Sequence, residues 1–263
     1  MTVSGLGAQA KAVSARMKAD NVSLLASAVA FWAMLALVPA LVALVSLYGL
    51  LADPADIERQ VTQSTEALPE EAQRLIVSQL EAVVDAPVAG LGTGLLIGLA
   101  VALWAASAGM RTLTTAIGVV YGDDAGDRGA VAERGKALAL TLGAIAFFAA
   151  AVAVVAVLPA DNTVVRLLRW PVLGAGLVLA IGVLYRLSPA SRPAQRLLTP
   201  GAVIAAILCV VVTLLFSLYT STFGSYNETY GSLAAVIILL LWLQLTAMTV
   251  LVGAEVNQVL PNR

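Results

Sequence analysis

Pro200-Gly-Ala-Val-Ile-Ala-Ala-Ile-Leu-Cys-Val-Val-Val-Thr-Leu-Leu-Phe-Ser-Leu-Tyr-Thr-Ser-Thr222 runs without a single Lys, Arg, Asp or Glu. A hydrocarbon core about 30 Å thick takes roughly 20 helical residues to cross, so this stretch is long enough and apolar enough to span a bilayer. Its apolar residues are continuous. Strands of a membrane barrel alternate apolar and polar positions, so the reading is helix. Five further blocks have the same character: Val22–Leu51, Leu91–Val120, Lys136–Pro159, Trp170–Leu187 and Ser232–Val259. Of these, Trp170–Leu187 is the shortest and is bracketed closely by Arg166, Arg169 and Arg186. The expected fold is an all-α polytopic helix bundle with about six transmembrane helices.

The whole composition agrees. Hydrophobic residues make up 60% of the 263 positions and charged residues 12%, against roughly 25% charged in ordinary soluble domains. The mean hydropathy is +0.93. With one cysteine, Cys209, an intramolecular disulfide or a cysteine metal site is excluded, and with no histidine the commonest general base and metal ligand is missing. Residues 1–22 are polar and amphipathic and do not read as a signal peptide. No internal repeat or low-complexity tract stands out, so residues 1–263 are read as one membrane domain.

The positions of Lys and Arg orient the spans. With the N-terminus inside and six alternating spans, Lys11, Arg16, Lys18, Arg111, Arg128, Arg134, Lys136, Arg186, Arg192, Arg196 and Arg263 face the cytoplasm. Only Arg59, Arg74, Arg166 and Arg169 face out. Both termini are therefore expected in the cytoplasm.

Two soluble segments accompany the spans. Residues 52–90 hold eight acids and two bases and read as two short amphipathic helices, starting near Pro54 and Pro69, over the outer face. This acidic loop is either a cation-attracting or partner-binding cap or simply a solvated cover. In residues 1–21, Leu6, Ala10, Val13 and Met17 share one helical face, with Lys11 and Lys18 elsewhere on the wheel. That pattern suits a helix lying on the cytoplasmic surface against anionic lipid.

An ionisable residue inside a span is a functional candidate, because stranding a charge in hydrocarbon is costly. Arg111, in Ser107-Ala-Gly-Met-Arg111, and Glu255, in Gly253-Ala-Glu255-Val-Asn257, fall at similar depth toward the cytoplasmic end of their helices. An Arg111–Glu255 ion pair, or a polar pocket shared with Ser107 and Asn257, is one reading; independent snorkelling to the headgroups is the other. Gln244 near the middle of the last block either contacts a substrate or holds helices together by hydrogen bonding. Pro39 should kink the first span.

Several motifs carry less. Gly94-x-x-x-Gly98 and Gly118-x-x-x-Gly122 permit close helix approach, but 21 glycines make the pattern easy to meet by chance. Asp123, Asp124 and Asp127 lack the distal Glu of a calcium loop and read as a solvated turn. The Tyr226–Ser232 turn suits an interface. No phosphate-cradling glycine loop and no nucleophile elbow occurs. No metal or cofactor is expected, and the chain is read as not an enzyme.

Ala28-Val-Ala-Phe31-Trp32 with Pro39, Trp104-x-x-Ser107-x-Gly-x-Arg111 running to Tyr121-Gly122, and Tyr230-Gly231-Ser232-Leu233 through Trp242 to Gly253-Ala-Glu255-Val-Asn257 resemble the YihY/BrkB family of bacterial inner-membrane proteins. The resemblance spans nearly the whole chain and implies six helices with cytoplasmic termini. Its members have carried the labels ribonuclease BN and virulence factor, and some have been linked to envelope lipid or solute transport. The positions matching the family's most characteristic polar residues are Ser107, Arg111, Glu255 and Asn257.

Three functions compete for this chain. A nuclease needs a basic surface for phosphates, and the loops supply only scattered Lys and Arg, so no nucleic-acid partner is expected. A secondary transporter or lipid translocator suits buried polar residues and a kinked first helix without an energy-coupling motif. Its partners would be membrane lipids and a lipid or small-solute substrate, and a homo-oligomer is compatible with it. The alternative is a membrane scaffold that recruits partners through the acidic outer loop. Transport is the favoured reading.

Overall fold

In a computed structural model of the chain, residues 3–51, 88–123, 129–157, 163–189, 197–222 and 232–260 are described, and all the regular structure among them is helical. The helices are α1 (Val3–Ala19), α2 (Val22–Leu51), α3 (Val88–Val120), α4 (Ala130–Val157), α5 (Thr163–Leu187), α6 (Pro200–Thr222) and α7 (Ser232–Val259). Leu96–Val120, Val131–Ala151, Arg169–Leu187, Pro200–Thr220 and Val236–Val259 are long and apolar enough to cross a membrane. Gly7–Ala19 and Val22–Leu37, joined at a 62° bend, qualify together as a sixth. Within the described residues, the six expected blocks are thus all helical. Helix α5 begins at Thr163, ahead of the expected Trp170, and carries Pro171 within it.

Large side chains such as Leu96, Phe148, Leu215 and Leu218 are exposed, whereas the buried positions are rich in alanine. That inversion of a water-soluble surface is what a lipid solvent permits, since tails compete equally for apolar side chains while small residues let helix backbones approach. The helices expected between 52 and 87, the Asp124–Asp127 part of the acidic cluster and the Tyr226–Gly231 stretch lie outside the described residues. Helix α2 continues through Pro39, which is half-buried.

A sharp break lies at Asp20-Asn21. Asn21 adopts φ 50°, a left-handed conformation that asparagine tolerates better than most residues. Its carbonyl accepts the amides of Leu24 and Leu25, starting α2, while the Asp20 amide closes α1 onto the Arg16 carbonyl.

The chain forms two compact packing units. The larger comprises Met1–Val29, Met110–Thr213 and Gln244–Arg263. Its core joins Val22, Ala26, Ile117, Tyr121, Tyr185, Ala205, Leu251 and Ala254, with Met17 of α1 packed against it. Here α4 packs against α5, and Lys136 Nζ donates to the Ser188 carbonyl at 3.0 Å, closing the end of α5. The second unit comprises Ala30–Gly109 and Leu214–Leu243. It contains an aromatic chain in which Phe31 meets Trp32, and Trp32 meets Trp104, edge to face at 5.7 and 6.0 Å. Ser107 belongs to this unit; it is buried and donates to the Trp104 carbonyl at 2.8 Å.

Candidate functional site

The polar residues of interest converge in the larger unit, where α3 ends, α6 begins and α7 nears its end. Helix α3 stops in a Schellman motif. The Gly122 amide donates to the Val119 carbonyl and the Asp123 amide to the Gly118 carbonyl, both at 2.9 Å. Gly122 holds φ 75°, which is where a residue without Cβ belongs. The glycine read in the sequence as a packing position is therefore a cap. Helix α6 starts with Thr199 as N-cap, its Oγ1 accepting the Ala202 amide at 3.1 Å, and Pro200 in the first helical position, where no amide is missed.

Asn257 of α7 ties these ends together. Its Oδ1 accepts the Gly201 amide at 2.8 Å, and its Nδ2 donates to Tyr121 Oη at 3.1 Å and Thr199 Oγ1 at 3.0 Å. Both amide hydrogens and the amide oxygen are used, with the side chain buried. The close approach depends on glycine. A Cβ on Gly253 would lie 2.5 Å from the Gly201 carbonyl oxygen and 2.6 Å from Ala205 Cβ, and a Cβ on Gly201 would strike the Gly253 carbonyl. Tyr185 completes the joint by donating its hydroxyl to the Val250 carbonyl.

Two residues before Asn257 lies Glu255, 0% exposed. Its partner is Arg16 of α1, whose Nε donates to Oε2 at 2.7 Å. The same guanidinium donates through a terminal nitrogen to the Val120 carbonyl at 3.1 Å and lies 3.8 Å from Asp20 Oδ2. Arg16 thus neutralises a buried carboxylate and also satisfies a carbonyl at the negative end of α3. Its side chain remains 42% exposed, so the cluster reaches from the core to the surface.

The expected Arg111–Glu255 pair does not form. Arg111 is 48% exposed and pairs with Glu133 at 3.2 Å. The reason is local: the chain returns into α4 soon after α3, with Glu133 in its first turn, while α1 gives Glu255 its cation, Arg16. Gln244 is half-buried on α7 in the same unit. Of the expected site residues, Glu255 and Asn257 are brought close, with Arg16, Tyr121 and Thr199 added. The Thr199-Pro200 start signal was available in the sequence; the role of Arg16 was not, because nothing in α1 singles it out among the surface bases.

Residues 13–263 match the family described as virulence factor BrkB. Among curated proteins, the putative ribonuclease-like protein YfkH of Bacillus subtilis (strain 168) is 27% identical over 202 residues, covering 71% of this chain and 73% of that protein. No solved structure matches.

Proposed function

The chain belongs to the virulence factor BrkB family, and from that premise we propose that it translocates a lipid or small solute across a bacterial inner membrane, its termini in the cytoplasm. One observation carries this reading: Glu255 is fully buried in a helix of membrane-spanning length and is held by a cation from another helix. An ionisable residue inside a spanning segment is costly to keep out of water, and those retained there usually line substrate or ion pathways. An ion pair used only for packing gains little, because well-packed apolar residues often do as well. The family's labels do not decide the chemistry. The relative named as ribonuclease-like supplies a competing expectation, to which the site described lends no histidine and no cluster of acids.

Purified protein reconstituted into liposomes tests the proposal. One arm follows the flip of fluorescent phospholipids, and the other follows uptake of a panel of small charged solutes. Wild type is expected to be active in one arm, with E255Q at least tenfold slower and E133Q near wild type. Equal rates in liposomes with and without protein would overturn the translocator reading. Magnesium-dependent cutting of RNA by the same preparation would replace it with an enzyme.

A further inference from the structure

The Glu255 carboxylate is bonded on one side only. Oε2 accepts from Arg16, but Oε1 is buried without a hydrogen-bond partner. A buried acceptor left without a donor costs about 1–3 kcal/mol, and more when charged, so such an atom marks either a cost borne for use or a place where something binds. Among the described residues, the charged groups that act on Glu255 are Arg16 and Asp20, at the end of α1. The Val120 carbonyl at the end of α3 is held by the same Arg16. Asp20 is an acceptor like Glu255, so two carboxylates face one guanidinium and the ionised cluster has a surplus negative charge.

A metal ion is the weaker occupant. Hard cations gather more oxygen ligands than two carboxylates provide, and among the described residues no group of three or more His, Cys, Asp or Glu side chains comes together. A proton needs only the one free oxygen.

We propose that Glu255 Oε1 is an exchangeable proton site, reached from the side where Arg16 and Asp20 are exposed, and that the proton is the coupling ion of the translocation. Its use rests on the translocator reading; its existence does not. A proton from solvent forms an O–H bond at Oε1 and leaves a neutral acid that presents a donor to Asp20. Its return to solvent restores the carboxylate. In the protonated state the Arg16 guanidinium still donates, but to a neutral acid and without the ion-pair attraction, so loading also loosens the hold of α1 on α7.

Infrared difference spectra of the purified protein in detergent, recorded as the pH is lowered, test this without any substrate. Wild type and E133Q are expected to gain a protonated-carboxyl band that E255Q lacks. In D20N the band should appear about one pH unit lower, a tenfold fall in proton affinity, because a like charge next to Glu255 has been removed. D20N touches a partly exposed side chain and keeps the test usable even where E255Q does not fold. A band unchanged by both E255Q and D20N would overturn the proposal. A wild-type band that sodium displaces at constant pH would also overturn it, in favour of a metal cation. A band present in protein that moves neither lipid nor solute would refute the translocator reading and leave the proton site standing.

Discussion

Asn257 shows how much one side chain can hold when every polar atom is used. It answers the Gly201 amide, one of the orphan donors at the start of α6, and spends both its own hydrogens on Tyr121 and Thr199. Removing it strands the Gly201 amide in a buried joint, so N257A should cost about 2 kcal/mol or more. N257D should be worse, because a carboxylate has no donor for Tyr121 or Thr199 and brings a charge into the core. Thermal unfolding in detergent would order the three proteins wild type, N257A, N257D; an N257D as stable as wild type would mean the network is not formed. The sequence marked Asn257 as a polar residue out of place, but its partners lie 58 and 136 positions away. No local pattern could name them.

At the scale of elements, α1 changes character most between sequence and structure. Along it, Lys11 and Lys18 are exposed and Val13 and Met17 half-buried, as expected, but Ala10 of the same expected apolar face is exposed. Yet it does not merely rest on a lipid surface: Met17 packs on the core and Arg16 enters the bundle to reach Glu255. Breaking that contact from either side should differ from breaking both. R16A leaves a buried carboxylate without its cation and the Val120 carbonyl without a donor, and should lower stability clearly. E255Q should be milder, and the double variant R16A/E255Q should recover part of the R16A loss, with a coupling of about 1–2 kcal/mol once the exposure of Arg16 is discounted. Additive losses in a double-mutant cycle would show that the two side chains act independently. The Asn21 break is what turns α1 back toward α7, and one asparagine among polar neighbours gave no sign of a 62° bend. Pro39, the stronger breaker by type, sits in a helix that continues past it.

For the whole molecule, the prediction concerns sidedness. Six spans would put both termini on one face, and the placement of Lys and Arg predicts that this face is cytoplasmic. Single cysteines introduced as T2C and N262C, each in a C209A background, should both resist an impermeant thiol reagent in intact cells and react once the inner membrane is opened. Labelling of one terminus from outside would require an odd number of spans. The spans themselves were legible because length and continuous apolarity are local quantities, set by the thickness of the bilayer. Every one of the six blocks became helix for that reason.

Composition and charge placement therefore determined a membrane bundle, its approximate spans and the short set of polar residues that needed explaining, since each follows from transfer out of water along a short stretch of chain. Only the tertiary structure decided which of those residues meet. It gave Glu255 to Arg16 and Arg111 to Glu133, it made Gly122 a cap, and it set Gly201 against Gly253 so that Asn257 could reach the start of α6. Those pairings depend on where helices cross and how they end, and a crossing is a property of two distant segments at once.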